Sequence, residues 1–428
     1  MADYYVHTTG SDSASGADDA PFLTLQHAYD SAADDDRIIF YAGTYAMVNS
    51  SPGNINISVH NYGDGLVKID GSAGSGSTYG VPLRLHNDSL IDGSTGSNLQ
   101  NIEIIGGTYA CIAGDSTSSR SYHIKNVIFT GIGDITNDDD DANTTKYGCD
   151  RSNNSTIRNN VFRNIAEKAI VSITSNPGPI YVYNNLIYNC GKPSNNVGIV
   201  QNTHFSSEYI FNTIVGCTGS HGIDCNNVNG TVTNNLLAQN YFRDAAVHTR
   251  TNINNNNVWT ELTQPTNGAY VDAASGSISA TNLEINPELN GVNPWDTRLG
   301  VGISGDFSLK PIKLHYGQFL SDSPRNAAGS PLIGVGTNIV HITTDFSGSA
   351  RPDTPTIGAL EGFTTLKFNI SPTNVSADKV LKDFTINHFN RISYETPRNV
   401  DQIPFGRAVI GPSNLKDRTT PYKLEKGK

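Results

Sequence analysis

The chain has no apolar run long enough to cross a bilayer as a helix, so no membrane association is expected. Its opening, MADYYVHTTGSDS, lacks a basic n-region and an apolar h-region, so no secretion signal is expected there. Charged residues make up only 16% of the 428 and hydrophobic ones only 37%. That scarcity argues against one thick globular core, while the supply of Val, Ile, Tyr and Phe argues against disorder. The five cysteines (Cys111, Cys149, Cys190, Cys217 and Cys225) are odd in number and contain no CxxC pair. A disulfide framework is therefore not expected, and free thiols packed in a core are. What remains is a thin core shared by many short strands.

What the chain does have is a phrase that returns. TIRNNVFRN from 156, IYVYNNLIYN from 180, YIFNTIVGC from 209, TVTNNLLAQ from 231 and NINNNNVWT from 252 each place asparagine between two β-rich runs. Aligned on Asn159, Asn184, Asn212, Asn234 and Asn255, the steps are 25, 28, 22 and 21 residues. Two positions earlier stand Ile157, Val182, Ile210, Val232 and Ile253; three positions later stand Phe162, Ile187, Val215, Leu237 and Val258. HIKNVIFTG, from 123, is a further copy. A period of this length with short β-rich segments predicts a solenoid. Asparagine enters the left-handed backbone region more readily than other residues with a side chain, so the pair suits a tight corner. Like residues on successive coils would then stack as an amide ladder. Each phrase is followed by another β-rich run, such as KAIVSIT from 168 or HGIDCNN from 221. The predicted coil is strand, Asn corner, strand, loop, strand.

These features resemble the right-handed parallel β-helix superfamily, pectate-lyase-like in architecture. The opening YYVHTTGSDSASGADDAPFLTLQHAYDSAADDDRIIFYAGTY is similar to the N-terminal signature of many extracellular members, in which a short helix, here LTLQHAYDSA, caps the first coil. Leu25, Ala28, Tyr29 and Ala32 carry its helical spacing. The stretch GDFSLKP…GSPLIGVGTN…DFSGSARPDTPTIGALEGF, 305–363, resembles the closing segment of the same proteins. The resemblance implies an all-β fold over 1–363. It leaves function open, because the superfamily includes lyases, hydrolases, adhesins and phage tailspikes. The expected domains are an N-terminal cap and first coil (1–45), the β-helix with its closing segment (46–363), and a C-terminal attachment or oligomerisation module (364–428). Residues 134–150, DITNDDDDANTTKYGCD, interrupt the repeat and are expected to protrude as a loop.

Strand alternation places the candidate site on the third strand of each coil. With Ile170, Ile199, Ile223 and Val247 inward, Val171, Val200, Asp224 and His248 form one outward column. Ile173, Asn202, Asn226 and Arg250 form the next. Asp224, Asn226, His248, Arg250 and Asn202 are thus the candidate ligand-binding residues. Amides and a carboxylate bond sugar hydroxyls, and Arg pairs with a uronate. The competing reading is an ordinary solvated sheet face with a surface ion pair. His248 oriented by Asp224 could serve as a base, with Arg250 stabilising a developing enolate. Lys168 and Arg250 are the candidate bases of a lyase, although nothing in the local sequence selects them. Hydrolysis would need two facing carboxylates, and the outward columns offer only Asp224. His204, His221, Lys192 and Arg243 are further polar residues nearby, better read as loop positions. No cofactor is expected. Calcium is weighed only at Asp138, Asp139, Asp140, Asp141 and Asp150, where a solvated acidic loop is the better reading because EF-hand spacing is absent.

Net charge is −11, unevenly spread. From Thr364 onward 11 Lys and Arg face 6 Asp and Glu; the rest of the chain has 18 against 34. The acidic body does not point to nucleic acid. The basic end points to a partner surface. The favoured expectation is a virion-surface structural protein of tailspike, fibre or capsid-decoration type, binding polysaccharide through the β-helix. It would attach to virion shell or tail proteins through 364–428, as a homotrimer. The alternative is an extracellular polysaccharide lyase or other glycan-cleaving enzyme.

Overall fold

The computed structural model describes residues 1–361 except 47–55, 73–80, 86–88, 95–100, 115–121, 133–143, 151–154, 173–178, 192–197, 203–206, 226–229, 239, 250–251, 260–269, 273–278, 285–288, 291–324 and 327–331. The C-terminal module expected at 364–428 lies outside the described residues.

Among the described residues, three parallel sheets run the length of the solenoid, with ten, nine and eight strands. The first begins at Asp3–Val6 and ends at Asn252–Asn254. The second runs from Gly43–Ala46 to Asn257–Trp259, and the third from Leu83–Leu85 to Tyr270–Asp272. Through the regular middle of the molecule, each strand pairs with the strand three places later in the chain, so one coil contributes one strand to each sheet. This is an all-β parallel β-helix. Its winding is right-handed, the hand that crossovers between parallel strands almost always take.

The core is a column to which all three sheets contribute in every regular coil. On the first sheet Ile91, Ile124, Ile157, Val182, Tyr209, Val232 and Ile253 stack in register. On the second, Ile104, Phe129, Phe162, Ile187, Ile214, Leu237 and Val258 do so. Phe129 and Phe162 lie face to face, ring centroids 4.7 Å apart. On the third, Ile112, Cys149, Ile170, Val200, Ile223 and Val247 complete the wall. All five cysteines are buried and unbridged. The helix Leu25–Ser31 buries Leu25, Ala28 and Tyr29 in the same core, and the Thr24 hydroxyl caps it by accepting from the His27 amide at 3.2 Å.

The corner after the first sheet divides its two asparagines between two tasks. Asn126, Asn159, Asn184, Asn234 and Asn255 take the left-handed backbone, with φ between 51° and 59°. The ladder is built by Asn160, Asn185, Asn212, Asn235 and Asn256. Each side-chain oxygen accepts from the backbone amide of its counterpart one coil earlier, as from Asn185 to Asn212 at 3.0 Å and from Asn212 to Asn235 at 2.9 Å. Each side-chain amide donates to the next oxygen and to a strand carbonyl, so the buried amides are satisfied.

This division corrects the sequence alignment in one coil. Asn212 is a ladder residue, and Phe211 takes the left-handed place at φ 57°. The inward residues of that coil are accordingly Tyr209 and Ile214, not Ile210 and Val215. Ile210 and Phe211 instead pack with Ile342. Residues 332–361, within the expected closing segment, lie along this corner. The left-handed asparagines hold them: Asn184 donates to the Thr344 carbonyl at 2.8 Å, and Asn234 donates to the Thr337 carbonyl at 2.7 Å. Arg351 lies 3.6 Å over the Phe211 ring, pairs with Glu361 and donates to the Asn184 side chain.

Candidate active site on the third sheet

Strands of the third sheet break their alternation, and at two of them that break sets the site. In Lys168–Ser172, both Ala169 and Ile170 belong to the core. In Tyr147–Asp150, Cys149 is core, and a Cβ on Gly148 would come 2.7 Å from the Phe162 ring inside the column. Two adjacent residues therefore face inward on each strand. The outer side receives the residues that flank them: Tyr147 and Lys168 at one level, Asp150 and Val171 at another. The sequence reading of 134–150 as a protruding loop is corrected here, because 147–150 is a paired strand of the sheet. Residues 133–143 lie outside the described residues.

Lys168 is the central residue of this face. It is only 6% exposed, and its ammonium lies 5.2 Å from the centroid of the Tyr147 ring. Burial holds its pKa below the ordinary lysine value, because a charged ammonium is poorly solvated there. The carboxylates of Glu167, Asp150 and Asp224 act in the opposite direction and favour the charged form. Asp150 is itself buried at 6% exposure. Burial, with the charge of Glu167, pushes the Tyr147 phenol above its ordinary range. Glu167 also pairs with Lys146 at 3.7 Å. The result is a cation whose protonation burial disfavours, set among carboxylates and an aromatic ring on the outside of the sheet.

The residues expected at this site fall into three groups. Asp224 is half-buried in the strand Thr218–Cys225, and its backbone is level with Gln201 on one side and His248 on the other. Val200, expected outward, is an inward core residue paired with Ile170 and Ile223, and Ile199 is buried too. Asn202 is level with Ser172, which is fully buried, one step off the Gln201–Asp224–His248 row. Asn226 and Arg250 lie outside the described residues, as do His204, Lys192 and Asp138–Asp141. His221 stands on the same strand as Asp224, level with Gly198. Among the described residues, no group of three or more His, Cys, Asp or Glu is placed to hold a metal ion. No helix among them is long and apolar enough to cross a membrane.

Sequence alternation missed Tyr147 and could not select Lys168. The signal was present in the composition of the strands. GlyCys at 148–149 and AlaIle at 169–170 are pairs of small or apolar neighbours where strict alternation would demand one polar residue.

No family model matches the chain, and no curated protein matches it. Three solved structures are similar in architecture. The pectate lyase Pel9A shares 15% identity over 85% of this chain and 97% of its own, with a TM-score of 0.45. The GH136 lacto-N-biosidase from Eubacterium ramulus shares 14% over 63% of this chain and 57% of its own, with a TM-score of 0.42. XylC, solved in complex with xylose, shares 13% over 63% of this chain and 68% of its own, with a TM-score of 0.38. At these identities the fold rests on the three sheets themselves.

Proposed function

We propose that this protein is a carbohydrate-acting β-helix that holds glycan against the outer face of its third sheet, with Lys168 as the group that takes a proton there. The observation that carries this reading is the buried Lys168, its protonation disfavoured by burial, beside Tyr147, Asp150 and Asp224. Burial disfavours the charged ammonium, and so brings the neutral, proton-accepting amine nearer. Tyr147 offers a ring against which a pyranose can lie, and the carboxylates accept hydroxyl protons. On a uronate the step would be β-elimination. The proton α to the carboxyl passes to Lys168 Nζ, its electron pair becomes the new ring double bond, and the glycosidic oxygen leaves and takes up a proton. The buried amine of Lys168, as a proton acceptor, is what supports elimination as the step.

The test is to incubate the protein with polygalacturonate, alginate and glucuronate-containing polymers and follow ultraviolet absorbance of unsaturated ends. Product from wild type that disappears in Lys168→Ala supports elimination. Retention of these polymers without product, weakened in Asp224→Ala, would reduce the role to binding, as a virion-surface protein would require. Neither retention nor product would sink the reading. Virion attachment and trimer formation through 364–428 remain part of the proposal on the strength of that segment's basic composition alone.

A further inference from the structure

A second cluster lies far along the chain from Lys168, on the first coils. The strand register sets Val6 level with Phe40, and Phe40 level with Asn61. The residues that follow them, His7, Tyr41 and Tyr62, form a short stack. Tyr41 and Tyr62 lie face to face at 4.1 Å with 27° between their planes, and the His7 ring meets Tyr41 edge-on at 4.8 Å. Tyr5 packs its ring against both tyrosines, at 6.4 and 6.1 Å. Tyr62 is 44% exposed, and among the described residues its ring contacts are with Tyr41 and Tyr5. The Tyr41 hydroxyl donates to Asp18. Asp64 stands at the same corner and accepts from the Ala42 amide at 2.8 Å. Arg37, on the neighbouring strand face, is already held by Asp3.

We propose that Tyr5, Tyr41 and Tyr62 form a second carbohydrate-binding site, for neutral pyranose residues, separate from the third sheet. Three linked rings, Tyr62 among them exposed, offer the flat apolar surface on which the C–H face of a sugar stacks. Asp18 and Asp64 supply acceptors at the edge for its hydroxyls. The same carboxylates would repel a uronate or sulfate, and the cation of this face is already paired. A protein partner fits less well. Even wholly covered, three rings supply much less than the ~800 Å² per side of a stable interface. The site does not depend on the role of Lys168, so the two can fail independently.

Affinity electrophoresis of the full-length protein in gels containing hydroxyethylcellulose, laminarin or galactomannan tests the site, with polygalacturonate as the acidic comparator. At least one neutral polymer should retard the wild type. The double variant Tyr41→Ala/Tyr62→Ala should weaken that retardation at least tenfold, Tyr62→Trp should preserve it, and high salt should leave it unchanged. Tyr62→Ala should leave any product formation at the third sheet intact. The proposal is overturned if no neutral polymer retards the wild type, if only polygalacturonate does, or if retardation survives the double variant. It is equally overturned if light scattering shows self-association that the double variant abolishes, because the rings would then be a contact between copies of the chain.

Discussion

Asn185 shows how much one residue can carry in this architecture. Its side chain is fully buried, accepts from Asn160 of the preceding coil, and donates to Asn212 and to the Ile157 carbonyl. Removing it takes a partner from the Asn160 amide and from the Ile157 carbonyl of the preceding coil, at about 1–3 kcal/mol for each buried group left unsatisfied. Asn185→Ala should therefore lower the urea midpoint clearly. Asn185→Asp should be worse, because an ionised oxygen would replace the amide that donates along the ladder. If both variants unfold at the wild-type midpoint, the ladder does not stabilise the fold. The neighbouring Asn184 was legible in the sequence as a corner residue, but its second task was not. Left-handed backbone turns its amide outward, where it meets Thr344 and Arg351, residues 160 and 167 positions later. No local pattern can announce a partner at that separation.

At the scale of the element, sequence period identified strands and corners well and individual registers less well. The coil at 209–217 has one asparagine where its neighbours have two, so alignment on the first Asn slipped by one and turned Ile210 and Val215 inward. The physical arbiter is the ladder. A side chain that must bond both neighbouring coils fixes which position Asn212 holds, and Phe211 accepts the left-handed backbone because its ring is then covered by Arg351. The same kind of slip affected the third sheet, where adjacent inward residues at 148–149, 169–170 and 199–200 defeat strict alternation. The closing segment depends on a few such contacts. Arg351 is 3% exposed in its side chain and is the partner of Glu361. Arg351→Ala would leave that carboxylate half-enclosed and unpaired, a loss of about 3–5 kcal/mol for a buried pair. The expected result is protease cleavage within 332–361 while the central coils resist digestion. Uniform sensitivity throughout the chain, or none anywhere, would contradict the assignment of Arg351 as the clamp of this segment.

For the whole molecule, the arrangement is quasi-one-dimensional: each coil bonds mainly to the coil before and the coil after. Truncation after Phe363 should leave a folded β-helix with an unchanged β-sheet circular dichroism spectrum. If the basic segment beyond it is an attachment module, the truncated protein should be monomeric by light scattering while the full chain is not. Equal masses per particle would remove the oligomerisation role from that segment. The sequence made the solenoid legible because the same bonding problem is solved in every coil. It made the site less legible because the site is built from departures from that repeat.

If Lys168 acts as a neutral base on glycan at the third sheet, the pH dependence of product formation shows it most directly. A base must be unprotonated to accept a proton, and burial holds the pKa of Lys168 below the ordinary lysine value. The rate of unsaturated-product formation should therefore rise with pH and level off below that value. Asp224→Asn removes a carboxylate that favours the ammonium, so the midpoint should move to lower pH. Lys168→Ala should abolish the rate at every pH. A rate that persists in Lys168→Ala, or a midpoint unmoved by Asp224→Asn, would contradict the assignment.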